Sequence, residues 1–306
     1  MKSLLKNILI LCAVSLIYFG CENPAPTELV QDNSAADAPL QVQIITNDTA
    51  DAYFRNGFDT TGVAGSLSRF GNVITVSGIK NTAKPGTERY AFAQAIFFDK
   101  NSPVRARNGR IIDYMTKPAG NIMFNGINAH QVPYTIAYLD NNLNVDTTLG
   151  VRYVIGGMHM GPREDFGFRY DSYVKFSLMP MHGPQISFNI PTPPEITGTL
   201  KTSGSRADQS LKAELDWNGG KPDVQIEVVI GAIVRGGAEP LPLFRLKARD
   251  TGRLVIPPKL LNDLPHPQFG TLVFSLIRKI ETDVPAPNGG LHIISQSIHN
   301  IVVDFK

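Results

Sequence analysis

Strict alternation of apolar and polar residues, sustained through most of the C-terminal half, limits this chain more than any other feature. In LKAELDW, Leu211, Ala213, Leu215 and Trp217 fall on one side, and Lys212, Glu214 and Asp216 on the other. A period of two belongs to a β-strand with one buried face, whereas a helix repeats every three or four positions. VQIEVVI places Val224, Ile226, Val228 and Ile230 together, and FRLKARD sets Phe244, Leu246 and Ala248 against Arg245, Lys247 and Arg249. TLVFSLIRKI and LHIISQSIHNIVVDF supply two longer strands, with turn signals NGGKPD, RDTGR and PNGG between the runs. Only PPKLLNDL, residues 257–264, reads as a helical turn. The class this predicts is all-β.

Residues 41 to 191 carry the same signature less regularly, in NVITVSGI, RYAFAQAIFFD, GRIIDYM, NIMFNGI, YTIAYL, VRYVIGG, SYVKFSLM and ISFNI. Phe92, Ile96 and Phe98 share one side of their strand, and Ala91, Ala93 and Ala95 form a small side able to take a close neighbour. In NIPTPPEITG, Pro191, Pro193 and Pro194 lack the amide a central ladder needs, so this stretch reads as a stiff spacer. The length suits two cores better than one. The expectation is two β-sandwich domains: a larger sandwich or jelly-roll over 41–191, and a second sandwich over 192–306.

The second block resembles a fibronectin type III or related immunoglobulin-like module. IPTPPEITGTL matches its proline-rich lead-in, and Leu215 to Trp217 its L-x-W strand. The tyrosine of the family's corner is missing from TLVFSLIRK. The resemblance implies a spacer or binding platform rather than a catalyst.

The N-terminus points to export. Lys2 and Lys6 precede an apolar run from Ile8 to Phe19, a pattern of secretory leaders that is too short to span a bilayer. Gly20 and Cys21 complete what resembles a bacterial lipoprotein lipobox, with Tyr18 and Phe19 bulkier than its usual residues. That resemblance implies cleavage after residue 20 and a lipidated Cys21, anchored in a membrane by several acyl chains. Residues 21–40, rich in Pro, Ala, Asp and Asn, read as a flexible tether. Glu22 after the cysteine leans toward the outer membrane of a cell envelope that has one. Cys12 would leave with the leader, so no internal disulfide is expected. Losing Lys2 and Lys6 leaves 27 basic against 27 acidic residues, a balance that argues against nucleic acid as a partner.

Candidate chemistry is sparse. Met158, His159 and Met160 in GGMHMGP, with Met179, Met181 and His182 in SLMPMHGP, offer thioether and imidazole ligands suited to Cu(I). Strand alternation opposes His159 to its two methionine neighbours. Asp140, Asn142, Asn144 and Asp146 echo a calcium loop, but Val145 and Val151 stand where Gly and Glu are needed, so a polar hairpin fits better. Arg105, Arg107 and Arg110 surround the turn signal Asn108-Gly109 and read as a charged loop. Phe166, Phe168 and Tyr170 alternate as core residues, with Tyr173 beyond. Signatures of nucleophile elbows, zinc proteases, phosphate loops and dithiol sites are absent.

Neither a cofactor nor a catalytic residue is therefore expected. The reading is an envelope lipoprotein that binds a glycan, an envelope component or a protein. The alternatives are a carbohydrate-active enzyme or sensor with a cleft in the first sandwich, and a copper-handling protein.

Overall fold

A computed structural model describes residues 40–44, 71–83, 86–109, 111–140, 143–156, 165–205, 207–221, 223–234, 240–262, 269–285 and 290–304. Cys21 and nearly all of the expected tether lie outside them, as do Met158, His159, Met160, Arg110 and Asn142. The described chain is all β, apart from the short helix α1 (Pro258–Asn262) in the predicted PPKLLNDL turn. Its strands are β1 (Gln41–Ile44), β2 (Asn72–Ala83), β3 (Gly86–Arg105), β4 (Ile111–Thr116), β5 (Gly120–Phe124) and β6 (Ile127–Asn128). There follow β7 (His130–Asp140), β8 (Leu143–Gly156), β9 (Tyr173–Pro180), β10 (Ile186–Pro191), β11 (Gly198–Ser203) and β12 (Lys212–Trp217). The last five are β13 (Gln225–Val234), β14 (Pro240–Arg249), β15 (Arg253–Ile256), β16 (Phe269–Val284) and β17 (Leu291–Asp304).

These strands form one ten-stranded sheet and two small ones. The large sheet runs β1-β14-β13-β16-β17-β2-β3-β8-β7, with β4 paired to β3. The small sheets are β10-β9-β5-β6 and β11-β12-β15. Alternation decides how they meet. Ile122 and Phe124 of β5 and Val174, Phe176 and Leu178 of β9 turn inward and pack on Ile74, Val76, Ala93, Ala95, Tyr153, Ile155 and Ile293 of the large sheet. Phe166, Phe168 and Tyr170 join this core as a chain of edge-on rings. The rings come so close that a Cβ on Gly78 of β2 would strike Phe168 and Tyr170. On β12, Ala213, Leu215 and Trp217 are buried as the sequence predicts.

The two blocks expected from the sequence share one large sheet. Each block has its own small sheet, and the exchange of covers falls near residue 192, but the large sheet is continuous across that boundary. β17, at the end of the second block, pairs in parallel with β2 of the first, from Leu291 opposite Asn72 to Ile301 opposite Thr82. Residues 42–306 accordingly form one compact unit. An unpaired edge strand presents a row of open amides and carbonyls, and this pairing closes two such edges together.

The proline stretch is fixed to the large sheet. The Ile196 amide donates to Ser297 Oγ at 2.8 Å and the Gly198 amide to His299 Nδ1 at 2.8 Å, both on β17. Thr192 and Ile196 are buried. At its far end, Arg278 of β16 gathers three segments. Its Nε and Nη2 hold the two carboxylate oxygens of Asp250 at 2.7 and 2.9 Å, while Nη1 donates to the Glu195 carbonyl and Nη2 to the Asn218 carbonyl. Trp217 Nε1 donates to the same carboxylate at 2.8 Å. Burial opposes the charge on Asp250, but these donors outweigh it and hold the carboxyl below its ordinary range. Gly220 leaves room for this contact, since a Cβ there would strike Asp250.

Removing one partner of such a pair leaves a buried charge unmatched. Arg278→Ala should therefore lower the unfolding free energy by about 3–5 kcal/mol in a urea titration. A second prediction concerns His299, which is 1% exposed. Its Nδ1 accepts from Gly198, so Nε2 carries the proton and donates to Thr82 Oγ1 at 2.9 Å. Burial, then Lys80 and Arg89, push this imidazole down to about 4. The unfolded chain takes up the proton near its ordinary value of 6.5, well before the folded chain does. Stability present above pH 6.5 should thus drain away as pH falls toward 4, by at most about 3 kcal/mol. Unfolding curves across that window should show the slope, and His299→Gln should flatten it.

Candidate binding site

The opposite face of the large sheet is built differently. Alternation sends Val73, Thr75, Ser77 and Ile79 of β2 away from the small sheets, with Gln94 and Ile96 of β3 and Ile294, Gln296, Ile298 and Asn300 of β17 beside them. Apolar clusters lie at both ends. One contains Val73, Ile96, Phe98, Tyr134, Leu149 and Ile294, the other Ile79, Val229, Val273, Ile277 and Ile298.

Between them runs a polar band. Thr75 stands directly opposite Gln94, and Ser77 directly opposite Gln296. None of the four is more than 1% exposed. Gln296 Nε2 donates to Ser77 Oγ at 3.1 Å. Thr75 Oγ1, Gln94 Oε1 and Gln296 Oε1 are buried without a hydrogen-bond partner from the protein. A buried polar atom left unmatched costs about 1–3 kcal/mol, and folded proteins carry few of them. These three lie on adjoining strands at the centre of the sheet. Farther along, Asn300 Nδ2 donates to Asn81 at 2.7 Å and Ser275 Oγ donates to Asn300 at 2.6 Å, so that part of the face is satisfied.

A charged margin adjoins the band on β13, β14 and β16. Lys279, opposite Gln296, reaches Glu227 at 2.8 Å and Glu281 at 2.7 Å. Arg245 Nε lies 3.7 Å from the second oxygen of Glu227. Burial works against the charge on Lys279, but the two carboxylates prevail and raise it above its ordinary value. Burial also draws Arg245 down to about 10, which leaves it charged at neutral pH. Two cations and two anions balance. The margin opens at Glu281, whose side chain is 44% exposed, whereas Glu227 is 7% exposed.

The residues singled out in the sequence fall elsewhere. Met179, on the outer face of β9, is 49% exposed, and Met181 is 68% exposed in the bend beyond it, next to an exposed His182. Their proposed companions Met158, His159 and Met160 are outside the described residues. Among the described residues, no three His, Cys, Asp or Glu side chains are grouped to hold a metal. The calcium-like stretch is a tight hairpin joining β7 to β8, with Asp140 opposite Leu143 and Asp146 opposite Ala137. Arg105 Nη1 donates to the Gly109 carbonyl at 2.9 Å and closes its own turn.

Phe166 is fully buried, Tyr173 is 63% exposed, and burial followed by Glu195 pushes the Tyr170 hydroxyl up to about 12. The band's residues were missed, although a signal was present. Gln94 is the lone polar residue in AFAQAIF, and Gln296 sits among isoleucines in IISQSIHNI.

No protein-family model, no curated protein and no solved structure matches the chain.

Proposed function

We propose that the protein is a cell-envelope lipoprotein, held at a bilayer through Cys21, that uses its large sheet as a rigid binding platform. The observation carrying the binding reading is the group of three buried oxygens on β2, β3 and β17 that no protein donor matches. Buried polar groups are ordinarily paired, and exceptions concentrate where a protein meets something else. The anchor reading rests on the basic start, the short apolar run and Gly20-Cys21. Among the described residues no helix is long and apolar enough to cross a membrane.

Three strands, β11-β12-β15, set against β14-β13-β16-β17 are in keeping with the resemblance to fibronectin type III modules. Such modules present surfaces, and the neutral balance expected after cleavage suits a partner recognised by hydrogen bonding rather than by field. Glu22 favours an outer membrane.

Expression in a bacterial host fed labelled palmitate tests the anchor. The wild type should carry label and sediment with membranes. Cys21→Ser should lose the label and appear in the soluble exported fraction. Equal labelling of both forms would remove the anchor from this reading.

A further inference from the structure

We propose that Lys247 and Arg249 of β14, with Arg245 beside them, form a basic stripe that lays the large sheet against a membrane surface rich in anionic phospholipid. This rests on the anchor reading above, and it concerns how the sheet is held rather than what the platform binds.

Alternation builds the stripe. Residues two apart on a strand point to the same side, about 7 Å from each other. Arg245, Lys247 and Arg249 therefore line one side of β14, while Leu246 between them is buried on the other. Lys247 and Arg249 are exposed.

The charges around them are already matched. Lys247 stands opposite Glu227 on β13, but that carboxylate bonds Lys279 at 2.8 Å and lies 3.7 Å from Arg245. Glu281 takes Lys279 at 2.7 Å, and Asp283, farther along β16, holds His292 at 2.8 Å. In the turn before β13, Lys221 and Asp223 offset each other. Among the described residues no carboxylate pairs with Lys247 or Arg249. Two positive charges are thus left over on one side of a chain expected to be neutral overall.

Position selects the occupant. The chain enters the large sheet at β1, and β1 is paired with β14 itself. Lipid on Cys21 would tie to the bilayer the strand that borders the stripe. A flexible chain as long as residues 21–40 spans about 25 Å. The potential of an anionic lipid surface fades over about 10 Å. Acyl chains therefore secure attachment but leave orientation open. Each basic residue brought to the surface favours the flat orientation about fivefold.

The rival explanation is protection of the sheet edge. β1 has four residues against ten in β14, and charges near an incompletely covered edge discourage strand addition. Vesicles separate the two. The full-length Cys21→Ser protein, which carries no acyl group, is sedimented with phosphatidylcholine vesicles and with vesicles containing phosphatidylglycerol, at low and high salt. Lys247→Gln/Arg249→Gln is measured on the same background. Lys175→Gln/Lys212→Gln, which removes two exposed lysines elsewhere, serves as the control for net charge. Urea midpoints verify that all three forms are equally folded.

The expected result is a preference for phosphatidylglycerol vesicles that high salt abolishes. Lys247→Gln/Arg249→Gln should weaken that binding about thirtyfold, and the control by less than about threefold. The proposal falls if the unsubstituted background shows no preference for anionic vesicles, if the stripe variant keeps it, or if the control loses as much. Tighter binding to soluble polygalacturonate than to the vesicles would also overturn it, by making the stripe a glycan contact. Because the vesicle assay needs no acyl chain, absence of palmitate label from the wild type would remove the anchor alone. Vesicle failure with label present would remove the stripe alone.

Discussion

Parallel pairing of β17 with β2 is the contact on which the rest of the architecture depends. It joins residues more than two hundred positions apart, and each strand would otherwise be an open edge of its own sheet. Once they are paired, the two small sheets share one foundation. The proline stretch between them then has a fixed bed, because its amides reach Ser297 and His299 on β17 itself. Arg278, one strand away, ties the same stretch to Asp250 and Trp217. A contact of such long range is reached late in folding, since the chain bears the loop entropy before the reward. The local hairpins, such as β7–β8 and β16–β17, have no such delay.

The two faces of the shared sheet follow different rules. One is filled in the ordinary way by aliphatic and aromatic side chains, with the Ser295 hydroxyl buried among them unmatched. The other interrupts two apolar clusters with a band in which three oxygens are unmatched. At about 1–3 kcal/mol each, these atoms withhold an amount comparable with a good part of a domain's usual 5–15 kcal/mol of stability. Valine or isoleucine at the same positions would satisfy the strands' backbone and pack as well. Thr75, Gln94 and Gln296 therefore make poor sense as packing residues.

Much of the fold was legible in the chain because alternation is a local signal. It located the strands of the second block, the buried side of LKAELDW, the hairpin at Asp140 and the inward turn of Phe166, Phe168 and Tyr170. What local pattern does not carry is which strands become neighbours. Nothing in NVITVSGI or LHIISQSIHNI reveals that they lie side by side, so the local pattern does not show that the two blocks share a sheet. The same limit hid the site. Alternation identifies two faces but assumes that the polar one meets water, and in β2, β3 and β17 both faces are buried. The methionine and histidine pattern carries no such placement either, and Met179 and Met181 stand exposed at a strand end.

The polar band on β2, β3 and β17 is also held rigidly. Binding groups are most selective when their positions are fixed before the ligand arrives, and strands hold side chains more firmly than loops do. These three are central strands of the sheet, braced from behind by the Phe166–Tyr170 rings and by the stretch bolted to β17. Glutamine has three rotatable bonds and is costly to immobilise, yet burial to 1% or less already restricts Gln94 and Gln296. The entropy of ordering them is spent in folding rather than in binding.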